Sequence, residues 1–315
     1  MRMHQKHSWI PFILVCFLLV FPFQVTSIAL ASETVGQEKI ISGRSAPDTT
    51  TAILPLKLSS NITIMRKYYA VLVGLNDYPG RPNSLPYSVN EVNAFKKTLL
   101  EGGNWVDSNI QTLTNQNATV SGILGAIQWL NAKEDRNDLS IIYLVGHGGH
   151  NATGTCFLAY DADIFDTALA QAIHNFNGYL VIIIDCCYSG GFIEKLKGQK
   201  RMIMTACSKN ELTYQYDDLR SGFFGYFLNL TLEKLTKTAE ASFLLACPFT
   251  IKYSEQISEQ LDGNYTVHPR VYDGTVGLMK LLNRHQYLTQ SVEKLFLESF
   301  FKLSNHSFLR SIWKL

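Results

Sequence analysis

Ser140-Ile-Ile-Tyr-Leu-Val145 running into Gly146-His147-Gly148-Gly149-His150, and Tyr179-Leu-Val-Ile-Ile-Ile-Asp185 running into Cys186-Cys187-Tyr188-Ser189-Gly190-Gly191, decide the fold. Each is a short, almost wholly apolar run that ends in a glycine-bearing loop. Such runs suit strands buried on both faces, which belong to parallel sheets covered by helices. In an open parallel sheet, ligands bind at the carboxyl ends of the strands. A single helix between these two runs brings their ends side by side, so His147 and Cys187 are predicted to face one cleft.

The same alternation extends outward in both directions. Further strands are predicted at 69–75, 109–114 and 201–206, beside 139–145 and 179–185. Helices are predicted at 88–102, 119–132, 165–176, 221–236 and 249–261, the first opened by Ser88-Val-Asn-Glu91 in capping-box spacing. The stretch 267–277, with Pro269 and two glycines, reads as a loop. The expectation is one α/β domain over residues 66–282.

Residues 1–31 read as an export signal or an N-terminal anchor. Arg2 and Lys6 make a basic start, Trp9 to Ala31 carries no charge, and Ala29-Leu30-Ala31 offers small residues for cleavage. The apolar stretch exceeds a usual signal core of about 7–15 residues, which keeps the anchor and a membrane association in view. Either way the chain is expected to be exported, secreted or membrane-attached. Residues 32–65 read as a spacer or pro-segment. Residues 283–315 form a tail in which Leu288, Val292, Leu295 and Phe296 fall at helical spacing.

With 46% hydrophobic and 17% charged residues, the 315-residue chain can bury a core, and disorder as its default state is excluded. A formal charge of +2 spread without runs of one sign offers no footprint for nucleic acid. Six cysteines become five once Cys16 leaves with the signal, so an oxidising compartment would leave at least one thiol without an internal partner.

A histidine beside a thiol is the minimum for nucleophilic catalysis: the thiolate attacks a carbonyl and the imidazole delivers a proton to the departing amine. The glycines of the His loop are expected to be flexible and to admit substrate backbone. The N–H groups of Gly148 and Cys187 are candidates for holding an oxyanion. Strand alternation puts Asp185 and Cys187 on one face and Cys186 on the other, which selects Cys187 as nucleophile. Zinc held by His147, His150, Cys186 and Cys187 is the rival chemistry, at a spacing poor for a tetrahedral site. No metal or cofactor is expected; calcium activation stays open.

The segments around His147 and Cys187 resemble the His and Cys motifs of the caspase-like cysteine peptidases, nearest the metacaspase branch, with Gly-His-Gly-Gly also similar to the legumain family. Val71-Leu-Val-Gly-Leu-Asn-Asp-Tyr78, Met204-Thr-Ala-Cys-Ser208-Lys-Asn-Glu211 and Ser221-Gly-Phe-Phe-Gly-Tyr-Phe227 extend the resemblance over about residues 66–282. The chain departs from it at Cys186 and Tyr188 and lacks the caspase Gln-Ala-Cys-x-Gly. The resemblance implies a caspase-like three-layer α/β/α sandwich with a mostly parallel central sheet. It also implies a cysteine endopeptidase with Cys187 as nucleophile and His147 as its partner.

Asp185, on the nucleophile's face, is expected at the pocket wall, where it would attract a cationic side chain and favour protein or peptide substrates with Arg or Lys at P1. Glu91 matches a second pocket acid of metacaspase-like enzymes and equally satisfies the capping box with Ser88; both readings stand. Glu194-Lys-Leu-Lys-Gly-Gln-Lys-Arg201 reads as a self-cleavage loop or a solvated connection. The competing functions are a catalytically silent caspase-fold binding module and a legumain- or transamidase-like transpeptidase.

Overall fold

Five parallel strands form where the apolar runs stand: β1 (Tyr68–Gly74), β2 (Ile110–Thr114), β3 (Leu139–Val145), β7 (Tyr179–Asp185) and β8 (Arg201–Thr205). The computed structural model describes residues 66–80 and 84–283. The predicted export signal or anchor (1–31), the predicted spacer or pro-segment (32–65) and the predicted amphipathic stretch at 286–303 lie outside the described residues.

With β9 (Arg270–Asp273) added antiparallel to β8, the sheet order is β9-β8-β7-β3-β1-β2. Side chains alternate between two layers, as strand geometry requires. Ile141, Tyr143, Val145, Val181 and Ile183 face α1 (Ser88–Glu101), α5 (Phe223–Lys234) and α6 (Ala239–Gln260). Ile142, Leu144, Ile182 and Ile184 face α2 (Val120–Lys133), α3 (Asp166–Ala172) and α4 (Ile193–Leu196). The three-layer sandwich is therefore present.

Three elements differ from the sequence reading. The supposedly flexible loop after β3 is β4 (Gly148–Asn151), paired with β5 (Gly154–Leu158) and through it with β6 (Asp163–Phe165). Gly and Asn have low strand propensity, and neighbouring chain supplies the ladder that they do not announce. The helix expected to begin at Phe249 begins ten residues earlier and runs through Pro248. The carbonyl that Pro248 leaves unbonded belongs to Leu244, an exposed residue, so water can take the missing donor's place. The stretch after Pro269 is an edge strand rather than a loop, and a proline is tolerated just before such a strand.

The basic connection after Cys187 is shorter than its charge suggests, because α4 and β8 leave only Lys197 to Lys200 between them. Lys200 donates its N–H to Gly274 O at 2.9 Å and its ammonium to Asn177 O at 2.8 Å. The Arg201 guanidinium bonds the carbonyls of Leu196 and Ile173. These bonds tether the crossover to its neighbours.

Candidate active site

β3 and β7 are in register, Val145 opposite Asp185, and the Gly146 N–H continues the ladder to Asp185 O at 3.2 Å. The chain leaves both strands at the same level. His147 and Cys187 consequently line one cleft of about 450 Å³, together with Asp185, the residues ahead of α1 (Leu85, Pro86) and the segment Leu212 to Gln215.

Gly148 and Gly149 belong to a strand, so flexibility does not explain them. A Cβ on Gly148 would stand 2.2 Å from the Cys187 carbonyl oxygen and 2.6 Å from Cys186 Sγ. Only glycine lets the His hairpin seat against the Cys loop. Gly148→Ala is expected to cost about 1–3 kcal/mol of stability, read as a lowered Tm, with loss of the cleft. Gly125→Ala, where a Cβ meets nothing within 4 Å, should be harmless. Equal Tm for both variants would contradict this packing.

Cys187 is half-buried and its thiol lies 3.6 Å from Thr213 O. Burial pushes this thiol above its ordinary range, which favours its protonated form. Tyr188 then turns the chain with a φ of 61°, the left-handed region that side chains seldom adopt. Its N–H is held by Glu211 O at 2.8 Å. Cys186 is fully buried in the opposite layer, in keeping with strand alternation.

Asp185 and Glu91 form a buried acid pair joined by a side-chain hydrogen bond. Asp185 Oδ2 accepts the Gly225 N–H at 2.9 Å. Glu91 Oε1 accepts the Tyr143 hydroxyl at 2.5 Å, and Oε2 accepts Ser221 Oγ at 2.8 Å and the Gly222 N–H at 2.6 Å. Burial, and then the neighbouring Glu91 carboxylate, hold Asp185 well above the usual carboxylate range; burial also raises Glu91. Two like charges this close in a dry site cannot both ionise freely.

The capping-box reading of Glu91 falls here. Tyr87 caps α1 without a side-chain hydrogen bond. Glu91 turns inward, and Ser88 Oγ accepts from Gln215 Nε2 at 2.8 Å instead. The pair is nevertheless unequal: Asp185 lines the cleft with Cys187, whereas Glu91 sits behind it and lines a separate pocket of about 350 Å³.

Sequence reasoning gave no role to Tyr143, Ser221, Gly222, Gly225 or Thr213. A tyrosine inside an almost wholly apolar, doubly buried strand was the available signal, since its hydroxyl must find a partner. The zinc arrangement does not form. No group of three or more His, Cys, Asp or Glu able to hold a metal occurs among the described residues, because Cys186 faces the other layer and His150 Nδ1 lies 3.2 Å from Thr155 Oγ1. The described cysteines are free thiols.

Metacaspase-1B of Aspergillus oryzae is 40% identical over 86 residues, which is 25% of this chain and 20% of that protein. Metacaspase-9 of Arabidopsis thaliana is 27% identical over 156 residues, 43% of this chain and 47% of that protein. The matched stretches thus span less than half the length of these curated relatives. Caspase-1 from Spodoptera frugiperda shares the fold with a TM-score of 0.52 at 12% identity, over 71% of this chain and 92% of that one. The caspase domain family model matches residues 67–263, which include β1, both motif loops and the acid pair. On that match the chain belongs to the caspase domain family, as a caspase- and metacaspase-like member of the cysteine peptidases.

Proposed function

We propose that the chain is a cysteine endopeptidase that cuts protein or peptide substrates after Arg or Lys through a Cys187 thioacyl intermediate. The observation that carries this reading is Asp185, a buried carboxyl lining the cleft that His147 and Cys187 line. In the reaction, the His147 imidazole takes the Cys187 proton as sulfur attacks the scissile carbonyl carbon. The oxyanion is received by the N–H groups of Gly148 and Cys187. Because His147 O accepts the Leu158 N–H at 3.0 Å, antiparallel alternation turns the next N–H, that of Gly148, away from β5, which supports this role. The imidazolium then protonates the leaving amine. A water, deprotonated by His147, releases the acyl group and restores the thiol.

A cationic P1 side chain meets Asp185 directly and Glu91 through it. An acidic P1 would place a third carboxylate beside that pair. Profiling a peptide library varied at P1 is expected to give cleavage after Arg and Lys and none after Asp; turnover confined to neutral or acidic P1 would refute the assignment.

The proposed peptidase domain is 66–282. Residues 1–31 are proposed to export it and either to be cleaved, giving a secreted enzyme, or to hold it to the membrane. That proposal rests on Arg2, Lys6 and the uncharged stretch that follows them. Among the described residues no helix is long and apolar enough to cross a membrane.

A further inference from the structure

We propose that Tyr78 is a positioning residue that sets the His147 imidazole against the Cys187 thiol. This rests on the His147–Cys187 reading above and extends it to a residue in neither motif loop.

Tyr78 is buried, four residues past the end of β1. Its hydroxyl oxygen accepts the His147 backbone N–H at 2.7 Å. Its ring packs on the imidazole, with centroids 4.8 Å apart and planes tilted by 48°. One side chain therefore grips both the backbone and the ring of the histidine. The carbonyl of the same residue is held by β5, through Leu158 N–H to His147 O at 3.0 Å. Gly146 belongs to this arrangement: a Cβ there would lie 2.5 Å from the Tyr78 hydroxyl, so any other residue would drive the hydroxyl off.

The base from which Tyr78 reaches is fixed on three sides. The Leu75 N–H donates to Val145 O at 3.1 Å, Asn76 N–H to Asn115 Oδ1 at 2.8 Å, and Val89 N–H to Asn76 Oδ1 at 2.9 Å. The residues tied in this way come from the end of β3, the segment after β2 and the first turn of α1. A rigid mount matters because burial favours the protonated thiol, whose proton passes to the imidazole during attack. That transfer tolerates little misplacement.

Tyr78→Phe keeps the ring and removes the acceptor; Tyr78→Leu removes both. With a basic-P1 peptide amide, kcat is expected to fall about tenfold for Phe and about a hundredfold for Leu, with KM within about twofold. The pH profile of iodoacetamide alkylation at Cys187 should move to higher pH in both, a change that loss of stability alone does not produce. Tyr69→Phe, a buried tyrosine of the same layer away from the cleft, should leave kcat and the profile unchanged. Gly146→Ala, which displaces the hydroxyl from the other side, should reproduce the Tyr78→Phe signature and decides the matter if that variant does not fold. A folded variant of either kind with wild-type kcat and an unmoved alkylation profile overturns the inference. If Cys187→Ala is inactive in that same experiment, only the role of Tyr78 is lost; if Cys187→Ala still turns over, the His147–Cys187 reading itself fails.

Discussion

Cys187→Ala is expected to lower kcat/KM for peptides with Arg or Lys at P1 by about four orders of magnitude or more, leaving only binding and oxyanion stabilisation. The size of the effect follows from the chemistry: without sulfur no acyl-enzyme can form, and the imidazole has no proton to take. Stability should barely change, since Cys187 is half-buried and its thiol lies a long 3.6 Å from Thr213 O. Cys186→Ala is the sharper control. That thiol is fully buried in the opposite layer, beside the position a Gly148 Cβ would occupy, so its loss should lower Tm while catalysis survives. Iodoacetamide should inactivate the wild type, faster as pH rises, because burial holds the Cys187 thiol above its ordinary range and only the thiolate reacts. A Cys187→Ala protein that still cleaves basic-P1 peptides would remove Cys187 as the nucleophile, whereas a wild type inert toward those peptides and indifferent to iodoacetamide would leave the chain as a caspase-fold binding module.

The layers and the position of the cleft were legible because they depend on runs of apolar residues, and β3 and β7 appear with the predicted ends. Doubly buried strands need no partner information to be recognised. The interior of the site was legible only in part, for a physical reason visible at Glu91. Its local pattern with Ser88 is that of a cap, yet the donors that claim its carboxylate lie 52 residues away at Tyr143 and 131 residues away at Gly222. Long-range hydrogen bonds in a dry pocket outweigh a local one at the helix start, and a single sequence displays only the local competitor. The hairpin at Gly148 shows the same limit from the side of packing. Gly148 is required by the approach of the Cys187 carbonyl rather than by a turn, and a glycine required for contact looks like a glycine required for flexibility. Pro248 misled in the reverse direction, because its breaking effect is local and the packing of α5 on α6 is not.

Asp185→Asn is expected to separate function from stability. The amide is nearly isosteric; its oxygen can still accept the Gly225 N–H and its nitrogen can donate to Glu91. What disappears is the ability to become an anion when a guanidinium or ammonium enters. Removing one partner of a desolvated ion pair costs about 2–5 kcal/mol, so cleavage after Arg should fall about thirtyfold or more, and discrimination between Arg and its uncharged analogue citrulline should largely vanish. The fold should respond in the opposite sense. Asp185 is held well above its usual value of 3.8 by burial and by Glu91. A group whose folded value is raised contributes stability that is complete below its unfolded value and is lost as pH rises through the folded one. The wild type should therefore lose stability from about pH 4 upward as the pair is forced to give up its proton. Asp185→Asn, which has no proton to surrender, should show a flatter Tm profile and a higher Tm at neutral pH. Measuring Tm from pH 4 to 8 beside Arg and citrulline cleavage tests both halves. Full Arg cleavage by the variant would remove Asp185 from the pocket, and an unchanged Tm profile would mean that the acid pair carries no strain.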